Sequence, residues 1–162
     1  MSQTQIVDHA AIKTGQILTI STLIVAFALS SWKMVAALAI FFLLTSLVWS
    51  LGPFGLIYRL VLKPIGLVKP DLRHDNLQPH RFGQAVGAIS AGLAACALYF
   101  GYTILGWSLV LVLVILTWIS FMGWCIGCFL YFQLNRMGLR GFFNKTPTDT
   151  QVPLGSRPKK IP

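Results

Sequence analysis

Charge is what this sequence has least of. Among its 162 residues, 10% are Asp, Glu, Lys or Arg, where an ordinary soluble domain carries about 25%. Acidic residues are the scarcer sign, four against thirteen Lys and Arg, leaving a formal net charge of +9. Cysteine is scarce too. Cys96, Cys125 and Cys128 all lie inside apolar segments, which excludes the disulfide framework of a small secreted domain. A Walker loop, a dinucleotide fingerprint and a Ser-His-Asp spacing are all missing, and the sequence points away from an enzyme. What is present is apolar: 56% of the residues are hydrophobic and the mean hydropathy is +0.73. A soluble chain of that composition could not cover its own surface. The basic residues sit in connecting segments and a tail, between long uncharged runs. That distribution excludes a nucleic-acid face and matches a membrane protein marking its cytoplasmic side.

A hydrocarbon core of about 30 Å needs about 20 helical residues. Lys13 and Lys33 bracket 19 residues without a charged side chain, which predicts a first helix over 15–31. The run resembles a secretory leader, with Ala26-Phe27-Ala28 as a small-residue site. Asp8 beside Lys13 makes a poor leader start, so the run is read as a membrane helix. A second helix is predicted over 34–51, ended by Gly52-Pro53. Residues 53–82 form a basic loop, broken by Pro64, Pro70 and Pro79. Within it 54–62 reads as a short interfacial helix. Residues 82–135 hold no charge over 54 positions. One straight helix of that length would be about 80 Å long, so the chain must fold back, and Gly101, Gly106 and Trp107 mark the turn. Helices are predicted over 83–105 and 107–132. The fold class expected is all-α: a four-helix transmembrane domain over 1–135, as two antiparallel hairpins plus the interfacial helix. A basic, irregular tail follows over 136–162.

With four spans, the N-terminus, the loop and the tail share a side and hold twelve basic residues, against Lys33 alone on the other. This asymmetry predicts a cytoplasmic location for both termini. Lys13-Thr14-Gly15-Gln16 and Arg81-Phe82-Gly83-Gln84 open the first and third helices as a faint internal echo.

The local pattern that carries chemistry is Gly123-Trp124-Cys125-Ile126-Gly127-Cys128. The two cysteines share a helical face and form a candidate redox pair. Within a continuous helix over 107–132 they fall near its C-terminus, where the macrodipole opposes a thiolate. Thiol exchange and simple packing of small polarizable side chains both fit. Metal binding needs more ligands. Cys96 lies mid-membrane, about 18 Å from the inner end of its helix, so no metal site and no cofactor are predicted. Gly123 and Gly127 form one G-x-x-x-G, and Gly83 and Gly87 another at the same expected depth, so these faces are expected to pack and fix the cysteine pair. In the basic loop, Arg73, His74, His80 and Arg81 could bind an anion or lipid headgroup. No predicted membrane span holds an Asp, Glu, Lys, Arg or His, which argues against an ion-coupled transporter.

These residues resemble a known family. Asp8 through Lys13-Thr14-Gly15-Gln16, Gly52-Pro53, Pro79-His80-Arg81-Phe82-Gly83-Gln84 and Cys125-Ile126-Gly127-Cys128 look like the bacterial membrane family catalogued as domain of unknown function 4395. The resemblance covers about residues 6–135. Family members commonly carry alanine where this chain has Gly83. It implies a multi-pass protein of the bacterial cytoplasmic membrane. Association of some relatives with thioredoxin-like or rhodanese-like proteins implies thiol or sulfur handling with a cytoplasmic partner, through Cys125 and Cys128. The alternative is a small accessory subunit of a larger photosynthetic or respiratory membrane complex, or a homo-oligomer.

Overall fold

The structure is a computed structural model that describes residues 5–47, 60, 71–75 and 77–137. Its elements run β1 (Gln5–Asp8), α1 (His9–Ala28), α2 (Trp32–Leu47), β2 (Leu72–Asp75), α3 (Leu77–Tyr99), α4 (Thr103–Met122) and α5 (Ile126–Arg136). The interfacial helix expected over 54–62, the end of the second helix over 48–51, the Gly52-Pro53 stop and the tail beyond 137 fall outside the described residues, apart from Leu60.

Three of the helices are long and apolar enough to cross a membrane: α1, α3 over its Pro79–Tyr99 stretch, and α4, with 20, 21 and 20 residues. The described part of α2 has 16 residues. Side chains such as Ile104, Leu111 and Trp118 point outward and are exposed. Soluble monomers rarely present large continuous apolar surface, so this exterior suits acyl chains. Around the bundle, α1 packs on α4, α4 on α3, α3 on α2 and α2 on α1, and α5 lies against α3. The core consists of Leu23, Ala26, Val35, Leu38, Ala91, Ala94, Ala95, Val110 and Leu113. Three of the four alanines, Ala91, Ala94 and Ala95, belong to α3, and their small volume lets its neighbours approach closely.

The turns fall near, but not at, the expected places. The α1–α2 connection is Leu29–Ser31, so Trp32 and Lys33 open α2. Ser30 holds it with φ of 48°, a left-handed conformation in which a Cβ crowds the following carbonyl. The α3–α4 turn is Phe100–Tyr102, and Gly101 takes its left-handed position with φ of 85°. Gly106 is no part of this turn. It is buried in α4, where a Cβ would stand 2.5 Å from Leu98 Cγ, so it is a helix-contact residue.

Two further differences matter for the site. The helix expected from 83 begins at Leu77. Pro79 lies in its first turn, where its missing amide hydrogen would have had no intrahelical partner. The helix expected over 107–132 is instead two helices, separated at Gly123–Cys125. In addition, β1 and β2 pair antiparallel, from Gln5 opposite Asp75 to Asp8 opposite Leu72. Asp8 caps α1 by accepting from Ala10 N–H at 3.0 Å and also accepts from Asp71 N–H at 3.0 Å. His9 N–H donates to Asp71 O at 2.8 Å. The starts of α1 and α3 are thus tied at one end of the bundle. Edge-on aromatic pairs Phe27–Trp107 and Trp32–Tyr99 lie at the other.

The strained turn gives a simple test. Ser30→Gly removes the Cβ clash and should stabilise the protein by about 1 kcal/mol, part of which is offset by glycine's greater freedom in the unfolded chain. Thermal unfolding in detergent should show a higher midpoint.

Candidate functional site

The break after α4 creates the site. Gly123 closes α4 in the left-handed region with φ of 113°, a conformation that favours glycine. Its amide donates to Ser120 O at 3.1 Å, and Trp124 N–H donates to Ile119 O at 3.4 Å. These bonds satisfy carbonyls that the helix end would leave open. Cys125 then takes the N-cap position of α5. Its carbonyl accepts from Phe129 N–H at 2.9 Å, and its Sγ accepts from Cys128 N–H at 3.2 Å. A sulfur here does the work usually done by a Ser or Asp oxygen. The cysteines therefore lie at the start of a helix, reversing the expectation of a C-terminal position, and the α5 macrodipole favours a negative sulfur.

The Cys128 thiol, by hydrogen bonding to Cys125, holds the Cys125 thiol well below the ordinary range, to about 6. Burial works against this shift. The charge of a protonated His80, the Cys128 amide and the Ser120 hydroxyl work with it. Cys125 is half-buried and Cys128 is buried.

His80 arrives from the first turn of α3. Its Nδ1 lies 3.9 Å from Cys128 Sγ, and its ring meets that of His9 edge-on at 6.0 Å between centroids. The donor atoms of His80, Cys125 and Cys128 all lie within 4.8 Å of one another. These are the described residues that could hold a metal ion, and the third donor is a histidine where only Cys96 had been considered. Cys96 is exposed elsewhere on α3.

Arg81, the next residue, serves α2. Its Nε donates to Ser46 O at 3.0 Å, and its Nη2 donates to Ser46 O at 2.9 Å and Leu47 O at 3.1 Å. A cation on the last carbonyls of a helix is favoured by the macrodipole. Arg73 and His74 belong to β2, and their side chains fall outside what the structure describes. The basic group expected around 73–81 is therefore split between a strand, the cysteines and the end of α2.

Of the four glycines expected to pack together, one pair meets. A Cβ on Gly127 would lie 2.7 Å from Gly83 Cα, whereas a Cβ on Gly83 would lie 3.8 Å from Gly127 Cα. Gly87 instead faces the Phe42 ring of α2, with 3.3 Å for an added Cβ, and Gly123 faces open space. The Gly83–Gly127 approach presses the start of α5 onto α3 and sets the cysteines beside His80.

A half-enclosed cavity of about 230 Å³ runs from this cluster into the bundle. His80, Arg81 and Cys125 line it, as do Gln16, Gln84 and Ser120. Gln16 Nε2 donates to Ser120 Oγ at 2.7 Å, which leaves the Ser120 hydroxyl proton for Cys125. Sequence reasoning missed this relay. The available signal was a glutamine inside the first predicted span, a polar group that lipid makes costly unless it finds a partner.

A compact bundle of apolar helices with a cysteine pair at a helix start defines a class: a helical protein compatible with a membrane and holding a dithiol–imidazole cluster at one end. The profile of the family described as Domain of unknown function (DUF4395) matches residues 7–136, and the chain belongs to that family. No curated protein and no solved structure matches it.

The glycine contact is directional, and so is its test. Gly127→Ala should cost about 1–3 kcal/mol, as overpacking against a backbone does. Gly83→Ala meets ordinary van der Waals distance and should cost much less. Unfolding midpoints of the two variants in detergent compare them directly.

Proposed function

We propose that this chain is a multi-pass membrane protein that exchanges thiols and disulfides through Cys125 and Cys128 with a soluble partner of the thioredoxin-like or rhodanese-like kind. One observation carries the reading: Cys125 caps α5 with the Cys128 amide on its sulfur, and Cys128 follows one turn later. The half-buried Cys125 is the attacking group, and the buried Cys128 resolves. The twelve-to-one distribution of basic residues supports a cytoplasmic location for the cluster, because the beginning of α1, Asp71 and the cysteines share one end of the bundle.

The Cys125 thiolate attacks one sulfur of the partner's disulfide. A mixed disulfide forms, the partner's S–S bond breaks, and the partner's second sulfur leaves as a thiolate. The protonated His80 gives its proton to that leaving thiolate, and its freed Nδ1 then takes the Cys128 proton. The Cys128 thiolate attacks Cys125 Sγ, forming the Cys125–Cys128 disulfide and releasing the partner's other thiolate. The proton now on His80 passes to that thiolate and completes the partner's dithiol. The partner gains two electrons, this chain loses two, and the same steps run in reverse.

Removing the resolving sulfur should trap the intermediate. In native membranes, Cys128→Ser is expected to accumulate a dithiothreitol-sensitive adduct with one soluble protein, while Cys125→Ser accumulates none. Equal adducts from both variants would sink the assignment. A chain that co-purifies with a membrane complex and retains full cellular function as the double serine variant would instead be an accessory subunit.

A further inference from the structure

We propose that the reduced form of the cluster is a zinc site, with Cys125 Sγ, Cys128 Sγ and His80 Nδ1 as protein ligands and a fourth position facing the cavity. The inference uses the thiols invoked above but does not need a soluble partner.

The donor set selects the metal class. Two sulfurs and an imidazole nitrogen suit borderline and soft ions, while magnesium and calcium require oxygen donors. The nearby Asp8 carboxylate accepts from the Ala10 and Asp71 amides. Charge then favours a divalent over a monovalent thiophilic ion, and zinc is the divalent ion most at home in tetrahedral sulfur–nitrogen sites. At the end of an apolar bundle, uncompensated charge is expensive. Two thiolates and a neutral imidazole around Zn²⁺ sum to zero, whereas Cu⁺ would leave one negative charge.

The geometry is close to what zinc needs. Bonds of about 2.3 Å to sulfur and about 2.0 Å to nitrogen, at tetrahedral angles, put sulfurs about 3.8 Å apart and each about 3.5 Å from the nitrogen. The three donor atoms already lie within 4.8 Å of one another, and Cys128 Sγ is 3.9 Å from His80 Nδ1. The widest of these separations thus exceeds the coordinated sulfur–sulfur distance by at most about 1 Å. The backbone frame is fixed independently by the Gly83–Gly127 approach. Groups around the sulfurs are also of the right kind: the Cys128 amide and the Ser120 hydroxyl both donate to Cys125, orienting the ligand and moderating its charge.

Three protein ligands with one position open toward a cavity is the arrangement of zinc sites that bind a further ligand. Gln16 and Ser120 line that cavity. Water or an incoming thiol is the chemistry they would admit. Zinc and the Cys125–Cys128 disulfide need the same sulfurs, so they exclude one another, and bound zinc would protect the dithiol from oxidation.

The test uses the full chain in detergent, stripped of metal and kept reduced with a phosphine. Cobalt(II) is added as the probe. One equivalent per chain should give tetrahedral visible bands and a strong sulfur-to-cobalt charge-transfer absorption, both abolished by Zn²⁺. Cys128→Ser should lose the charge-transfer band. His80→Ala should weaken binding by at least about tenfold, since even groups outside the ligand shell affect metal affinity by that factor, and His80→Cys should restore it. Absence of the charge-transfer band in the native chain, or wild-type affinity in His80→Ala, overturns the proposal. Failure here with the mixed disulfide still trapped by Cys128→Ser leaves thiol exchange standing. Cobalt binding without any adduct supports zinc and removes exchange.

Discussion

The geometry of the site depends on one close approach, that of the Gly127 backbone to Gly83. Neither residue has a side chain to contribute, and that is what allows the contact. In lipid, helices gain little from hiding apolar groups and associate through packing, so two backbones can be brought this near where only hydrogen atoms intervene. Everything at the cysteine cluster follows from it. Gly83 lies less than one turn from His80, and Gly127 sits between Cys125 and Cys128. Pressing one glycine onto the other therefore places the imidazole beside both sulfurs.

A second constraint acts at the same end of the bundle. Gly123 ends α4 in a conformation that favours glycine, which frees Cys125 to cap the start of a new helix. Had α4 continued, the cysteine sulfurs would face the negative end of a dipole and no amide would point at them. The break reverses that field over a few residues. Gln16 and Ser120 then extend the polar environment inward, so that hydrogen-bonding groups accumulate toward the cysteines while the outer surface remains apolar.

The sequence made the spans legible because charge is excluded from them. The uncharged runs after Lys13, after Lys33 and over 82–135 correspond to α1, α2 and the α3–α4–α5 stretch. Boundaries were less legible, and for a definite reason. An uncharged run marks what lipid tolerates, whereas a helix continues through His9, Lys13, His80 and Arg81 as long as its amides find carbonyls. Reading Pro79 as a breaker concealed the first turn of α3 and left His80 in a loop, away from its cysteines. The strand pairing between Gln5–Asp8 and Leu72–Asp75 involves four residues on each side, too few for an alternating pattern to emerge. At the site, the cysteine pair was visible as a motif. Its position at a helix start, its histidine and the Gln16–Ser120 contact depend on packing between segments remote in sequence.

The tie between Asp8 and Asp71, residues 63 positions apart, has a consequence for how this chain can vary. One oxygen of Asp8 accepts from both the Ala10 and the Asp71 amides, so a single carboxylate caps α1 and holds it to the segment that leads into β2. Asparagine would keep an acceptor oxygen at that point, whereas alanine would leave two amides without one. Position 8 is therefore far less free to vary than the apolar positions on the outer faces of the helices.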